Sequence, residues 1–261
     1  MTVFRHECRQ GRRAFWIWTG CIAFLIAVCI FLFPEMEGAM GGVGDVFSSM
    51  GAFTEAFGMD TLNFGTLRGF YAVECGNILG IGGALFAAML GVGALAKEEK
   101  NRTAEFLLSH PISRSRVVTE KLLAVVFQIL VLNIIAFAVA AACIAAIGEE
   151  IFWKELILLH LANLLIQLEL AGLCFGLSAF LRRGGLGAGM GIALMLYFLN
   201  IVANISEKAA WLKHVTPFAY GEGADILDAG ALDWKLILPG MAAAAICVAA
   251  AYWQYNRKDL Q

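Results

Sequence analysis

Six long runs of apolar residues limit how this chain can fold. Each run has about the 20 residues that an α-helix needs to cross the hydrocarbon core of a bilayer. We expect one transmembrane helix in each of residues 14–33, 70–96, 122–147, 156–181, 186–205 and 236–253. With 261 residues in all, these runs leave no room for a large soluble domain. The sequence predicts an all-α integral membrane protein, organised as a single transmembrane domain over residues 1–261.

Composition argues against a soluble globular protein and against a nucleic-acid-binding protein. Hydrophobic residues make up 60% of the chain and charged residues 15%, whereas a soluble domain is about one quarter charged. The formal net charge is -2, so there is no basic field that would attract nucleic acid. The seven cysteines form no CxxC or Cys/His cluster, and we therefore predict neither a metal site nor a cofactor site in this chain.

Lysine and arginine are unevenly divided between the two sides of the predicted bundle. The side that holds both termini has 14 of them: Arg5, Arg9, Arg12, Arg13, Lys97, Lys100, Arg102, Arg114, Arg116, Lys121, Arg182, Arg183, Arg257 and Lys258. The opposite side has 5: Arg68, Lys154, Lys208, Lys213 and Lys235. Because cytosolic loops carry the excess of basic residues, we expect a multi-pass protein of the cell membrane with both termini in the cytosol.

Two segments on the external side are longer than simple connections. In residues 43–57, apolar side chains recur at helical spacing among polar ones, which predicts an external amphipathic helix that lies on the membrane surface or caps the bundle. In residues 207–234, four aromatic residues stand among charges and are interpreted as interfacial anchors. These are Trp211, Phe218, Tyr220 and Trp234.

The loop 97–121, on the cytosolic side, contains the most informative pattern. A short helix-forming block carries an apolar patch at Phe106, Leu107 and Leu108, and Pro111 ends it. Ser113 is suited to cap the helix that follows. A short helix with apolar residues among charges is suited to dock into a groove on a soluble partner.

This loop resembles the signature of ABC-2 type transporter permeases, in which such a block is the coupling helix. The matching residues are Glu98, Glu99, Arg102, Thr103, Glu105, Leu107, Leu108, Pro111, Ser113, Arg114 and Lys121, with Phe106 in the apolar patch. The resemblance implies a permease of an ATP-driven exporter. It also implies separate ABC ATPase subunits that bind ATP and Mg, and a second permease subunit in a homo- or heterodimer.

The chain has no G-x-x-x-x-G-K-[ST] loop to hold nucleotide phosphates, so we predict that it is not itself an ATPase. Two alternatives remain open. One is an intramembrane enzyme, such as a protease that uses a Glu-Glu-x-x-x-Arg motif, although two residues rather than three separate Glu98-Glu99 from Arg102. The other is a non-transporting membrane anchor that recruits an ATPase.

A few polar residues fall inside the predicted spans and are candidate sites. His160, Asn163 and Gln167 share one stripe of the fourth run, and Glu169 points to the opposite face. Two further pairs share a face, Glu74 with Asn77 in the second run and Asn200 with Asn204 in the fifth. Glu169 is predicted either to bind a cation or proton or line the transport path, or to be a neutral acid bonded to a neighbouring helix.

Small residues that permit close helix contact recur as GxxxG pairs at 76/80, 172/176 and 185/189. They predict either a dimer interface or packing within one subunit.

Overall fold

The computed structural model describes residues 2–39, 54, 62, 65–100, 113–181 and 185–257, and every regular element in them is helical. Six of the helices in this part of the chain are long and apolar enough to cross a membrane. They are α1 (Thr2–Ala39), α2 (67–100), α3 (Arg114–Ala146), α4 (Trp153–Ser178), α5 (Leu186–Ile205) and α7 (Trp234–Arg257). Helix α2 consists of Leu67–Phe70, a π-helical turn at Tyr71–Cys75 and Gly76–Lys100.

All six predicted spans are confirmed as helices. The bounds of α5 are those predicted, whereas α1 begins 12 residues before its apolar run, at Thr2 rather than residue 14. Helix α3 also begins before its apolar run, because the Ser113 side chain accepts a hydrogen bond from the Arg116 amide and caps it, as predicted. The spans alternate in direction, so both termini lie at one end of the bundle. We call this the terminal end and the opposite one the distal end.

Helices α2 and α4 form the centre of the bundle, and glycines on one face of α2 allow their close approach. A Cβ at Gly91 would lie 2.5 Å from the Ala171 carbonyl oxygen, so a larger residue would push the two backbones apart. Helices α1, α5 and α7 lie at the periphery. They expose large apolar side chains such as Phe24, Phe198 and Ile246, which fits contact with lipid or with another membrane subunit.

Two of the predicted GxxxG pairs pack within the subunit. A Cβ at Gly172 or Gly176 would lie within 3 Å of atoms of Ala244 or Cys247, respectively, on α7. A Cβ at Gly189 would lie 2.9 Å from the Ala88 carbonyl oxygen on α2. In the remaining pair, a Cβ at Gly80 would lie 3.0 Å from the Asn163 side-chain oxygen, and a Cβ at Gly76 would have no atom within 4 Å.

The distal segment (206–233) connects α5 to α7. It contains two 3-10 helices, Glu207–His214 and Pro217–Gly221, and the short helix α6 (Gly223–Ala229). Trp211 and Trp234 are exposed, as interfacial anchors are. The same interpretation is wrong for Phe218 and Tyr220, which are 6% and 4% exposed. Thr216 and Pro217 begin a 3-10 helix that returns into the bundle and carries both aromatic rings inward. The predicted amphipathic helix at 43–57 lies outside the described residues except for Thr54.

Candidate functional site

A polar cavity lies where the distal segment enters the bundle. Its volume is about 40 Å³, and α2, α4, α5 and the distal segment enclose it. The polar residues among its lining are Asn77, Asn163, Tyr197, Asn200 and Glu222. The described residues that line it include no lysine, arginine or histidine. We call this the distal cavity, and it combines one carboxyl group with three side-chain amides.

The Glu222 carboxylate is held by two amides of α5. The side-chain amides of Asn200 and Asn204 donate to the same carboxylate oxygen, at 2.5 and 2.7 Å. This shared partner confirms that Asn200 and Asn204 lie on one face. Burial raises the pKa of Glu222 above its ordinary value of 4.5, although the two amide donors act in the opposite direction. The Asn200 Oδ1 atom is buried without a hydrogen-bond partner.

Glu169 has a partner in the distal segment. The Tyr220 hydroxyl donates to its Oε2 at 3.0 Å. A Cβ at Gly240 on α7 would lie 2.3 Å from that same oxygen, so α7 passes close to the carboxylate. Glu169 is 16 residues, or about 24 Å, from the start of α4. The distal segment thus reaches membrane depth, where irregular backbone occurs only if protein buries it or it lines a cavity.

The predicted stripe of α4, His160, Asn163 and Gln167, lies on a different face of the helix from Glu169. His160 Nε2 forms a 2.7 Å hydrogen bond with the Tyr71 hydroxyl in the π-helical turn of α2. Gln167 accepts from the Asn133 amide of α3 at 2.7 Å, and Asn163 lines the distal cavity. Of the pair Glu74 and Asn77, only Asn77 is among the cavity residues.

At the terminal end, Glu7 of α1 joins α2 and α3. One of its carboxylate oxygens pairs with Lys97, near the end of α2, and the other lies 2.6 Å from the Lys121 ammonium of α3. Lys121 is 1% exposed and also donates to the Ala94 carbonyl oxygen at 2.8 Å. Lys97 also donates to the Gln10 side chain at 2.7 Å. We call Glu7, Gln10, Lys97 and Lys121 the Glu7 network.

Glu120 fixes the beginning of α1. Its Oε2 accepts from the backbone amides of Val3 and Phe4 at 3.0 and 3.1 Å, and its Oε1 pairs with Arg116 at 3.0 Å. The first amides of a helix have no partner within it, and a carboxylate suits their positive end. The start of α1 is therefore anchored to the start of α3.

The start of α3 also contacts the end of the last helix, α7. Arg114 donates to the backbone carbonyls of Tyr255 and Asn256 at 3.4 and 3.3 Å. Thr119 forms a 2.8 Å hydrogen bond with the Tyr252 hydroxyl. A cation is favourable at the last carbonyls of a helix. Helices α1, α2, α3 and α7 thus meet at the terminal end, at the base of the loop that follows α2.

Most of the predicted docking residues lie outside the described part of the chain: Arg102, Thr103, Glu105, Phe106, Leu107, Leu108 and Pro111, with the side chains of Glu98 and Glu99. Of the predicted set, Ser113 caps α3 and Arg114 bonds to α7. Docking to an ATPase stays a prediction for all of them.

Comparison with known families gives one match that spans nearly the entire chain. Residues 1–260 match the family described as ABC-2 family transporter protein. The chain belongs to this family. It is a membrane permease component of an ABC transporter and not the ATPase itself. No curated protein matches it at a significant level.

In this ABC-2 permease, sequence reasoning missed two of the residues that organise the sites. Glu7 is the only acidic residue before Glu35 and stands among four arginines. A single acid in a basic segment is the feature that could have indicated a buried ion pair. Glu222 lies between two glycines after the apolar stretch 215–220. That pattern indicates a tightly packed turn, but the sequence gives no indication that the turn reaches α5.

Proposed function

We propose that this permease exports a substrate across the cell membrane, driven by ATP hydrolysis in separate ABC ATPase subunits. The ATPases bind Mg and ATP and dock on the loop 97–121 at the terminal end, which faces the cytosol. Membership of the ABC-2 family supports the partnership with an ATPase. The excess of lysine and arginine at the terminal end supports the cytosolic placement of the loop.

The family match carries this proposal, and the Glu7 network supplies the mechanical link that it needs. Lys97 and Lys121 stand on either side of the loop, and a single carboxylate on α1 binds both. Charge-assisted hydrogen bonds of this kind are strong, and the low exposure of Lys121 shields its bond with Glu7 from water. Displacement of the docked loop by the ATPase would therefore move the ends of α2 and α3 together and draw α1 with them.

Co-purification tests the docking. Leu107→Asp places a charge in the apolar patch and should weaken binding of the ATPase by about 2 kcal/mol, or roughly 30-fold. His6→Asp, which adds a carboxylate at an exposed position of α1, is the matched control and should retain the ATPase. An ATPase that co-purifies equally with wild type and Leu107→Asp would contradict docking through this patch.

Cysteine labelling tests the orientation. In a cysteine-free background, Ser48→Cys should react with a membrane-impermeant maleimide applied outside intact cells. Ser115→Cys, exposed at the terminal end, should react only after permeabilisation. The reverse pattern would place the loop outside the cell and end the proposal of a cytosolic ATPase.

Comparison of metabolites tests the direction of transport. Cells that lack the permease should accumulate the substrate inside and release less of it to the medium. Loss of uptake, with depletion inside the cells, would instead identify an importer.

We also propose a second permease subunit beside this one. The resemblance to ABC-2 permeases implies it, and the exposed apolar faces of α1, α5 and α7 provide surfaces for the contact. Two differently tagged copies of the chain should co-purify if the dimer is a homodimer. A different permease chain in the purified complex would indicate a heterodimer, and a single permease in the ATPase-bound complex would refute the pair.

A further inference from the structure

We propose that the distal cavity binds one monovalent alkali-metal cation, with the Glu222 carboxylate as its counter-charge and the Asn200 amide oxygen as one of its ligands. The sequence predicted no metal site, so this proposal departs from that prediction; it is independent of the transported substrate and of the ATPase.

The hydrogen bonds to Glu222 fix which atom of Asn200 is free to bind. Its Nδ2 donates to the Glu222 carboxylate, so the other terminal atom of the amide is the carbonyl oxygen. Asn200 is 4% exposed, lines the cavity, and its Oδ1 has no hydrogen-bond partner in the protein. A buried carbonyl oxygen beside a carboxylate needs a donor or a cation.

The lining selects a cation over other ligands. Glu222 is the charged residue among those that line the cavity, and Asn77 and Asn163 add two more amide groups. Oxygen atoms of carboxylates and amides are the ligands that hard cations prefer. An anion would meet the carboxylate without any compensating lysine, arginine or histidine from the described lining.

The single carboxylate sets the charge of the cation. One carboxylate and one monovalent cation give a neutral site, which is the least costly arrangement for groups buried in protein. A divalent cation would leave one positive charge uncompensated, and sites for Ca²⁺ commonly hold several carboxylates. The volume of about 40 Å³ admits about three water-sized groups, enough for one small cation with one or two waters.

The backbone around the cavity is irregular at three of the lining residues. Ala72 and Val73, in the π-helical turn of α2, line the cavity, and so does Gly221 at the end of a 3-10 helix. Single π-helical turns inside α-helices are frequent at functional sites. In membrane transporters, interrupted helices supply backbone groups that bind ions.

Binding of ²²Na⁺ and ⁸⁶Rb⁺ to the purified full-length permease, measured by scintillation proximity, tests the site. Both isotopes are used because the geometry fixes the charge of the ion rather than its size. We expect saturable binding of about one cation per chain in choline chloride buffer. The matching alkali chloride should raise the temperature of unfolding by several degrees at saturation, whereas more choline chloride should not.

Two variants locate the site. Glu222→Gln removes the counter-charge but keeps an oxygen for the amides of Asn200 and Asn204, and it should lower affinity at least tenfold. Gly76→Ala adds a methyl group where no atom lies within 4 Å, on a residue that lines the cavity, and it should also weaken binding. Gly93→Ala, which likewise meets nothing within 4 Å and is not a lining residue, should bind as wild type does.

Three results would overturn the proposal. They are no saturable binding of either isotope to wild type, full binding by Glu222→Gln, or full binding by Gly76→Ala. The first result would mean that water rather than a cation occupies the cavity. If Glu222→Gln cannot be purified, Gly76→Ala against Gly93→Ala decides the question alone.

Discussion

Glu7 at the terminal end and Glu222 at the distal end are both carboxylates held by groups from neighbouring elements, but their partners differ in kind. Glu7 meets two ammonium groups, from α2 and α3, and its charge is compensated. Glu222 meets two neutral amides of α5, which satisfy hydrogen bonds but leave the charge. The first arrangement fastens three helices together. The second leaves a charge that a small ligand can neutralise.

The neighbourhood of each carboxylate supports this difference. Both neighbourhoods contain a buried amide oxygen without a hydrogen-bond partner, Gln128 Oε1 near Gly11 and Asn200 Oδ1 beside Glu222. What differs is that Asn200 and Glu222 line a cavity, whereas a Cβ at Gly11 would lie only 3.0 Å from Gln128 Oε1. We therefore interpret the terminal end as a rigid connection and the distal end as a receptor site.

The largest expected effect comes from removal of the charge on Glu7. Glu7→Gln leaves the Lys121 ammonium buried without a counter-charge and should cost about 3 kcal/mol of stability, seen as a lower unfolding temperature. The double variant Glu7→Gln with Lys121→Gln should be more stable than Glu7→Gln alone, because no buried ammonium remains. Additive losses in the double variant would show that the pair is not coupled.

Removal of the Glu169 acceptor should have a smaller effect. Glu169→Leu leaves the buried Tyr220 hydroxyl without its acceptor and should cost about 2 kcal/mol. Glu169→Gln keeps an oxygen for that hydroxyl and should lose much less. The control Glu149→Leu changes an exposed loop residue. Equal losses in the Gln and Leu variants, measured by thermal unfolding, would mean that the negative charge itself is needed.

The pH dependence of stability should distinguish Glu222 from the paired carboxylates. Because burial raises its pKa above 4.5, the folded state binds this proton more tightly than the unfolded state does. Its contribution to stability is present at low pH and is lost as the pH rises through the raised pKa. The charge of Asp225 also raises the pKa of Glu222, and the charge of Lys213 lowers it. Neither residue is therefore substituted in the test.

In choline buffer, Glu222→Gln should therefore gain in unfolding temperature relative to wild type as the pH rises from 4.5. A difference between the two proteins that is constant across the pH range would contradict the raised pKa.

The smallest expected effect is at Arg68. Its contact with Glu155 is 3.8 Å long, and the Arg68 side chain is 59% exposed. Solvent screens such pairs, so Arg68→Gln should change stability by less than about 0.5 kcal/mol. A loss comparable with that of Glu7→Gln would remove the contrast between exposed and buried charge pairs in this protein.

The sequence predicted the spanning helices because a bilayer fixes their length and polarity, and both are local properties. The Ser113 cap was also predictable, because an N-cap depends only on residues close in the sequence. The Glu7–Lys121 pair joins residues 114 positions apart, and local patterns do not identify such partners. Asn200 and Asn204 were predicted to share a face, but their partner Glu222 lies in a loop whose path depends on tertiary packing. Aromatic residues among charges indicated the membrane interface, yet Pro217 redirects Phe218 and Tyr220 into the bundle.

Hydrogen–deuterium exchange of the permease assembled with its ATPase tests most directly whether the terminal end transmits motion. In wild type, ATP with vanadate should change the exchange of α1 between residues 14 and 36. Lys97→Gln cuts the link from the end of α2 to Glu7 but leaves the Glu7–Lys121 pair, and Lys97 is partly exposed, so the protein should remain folded. The variant should still bind the ATPase but show a smaller ATP-dependent change in α1, because α3 stays joined to α1 through Lys121 and Glu120, whereas Arg68→Gln should keep the full change. An undiminished change in Lys97→Gln would show that the Lys97–Glu7 pair does not connect α2 to α1.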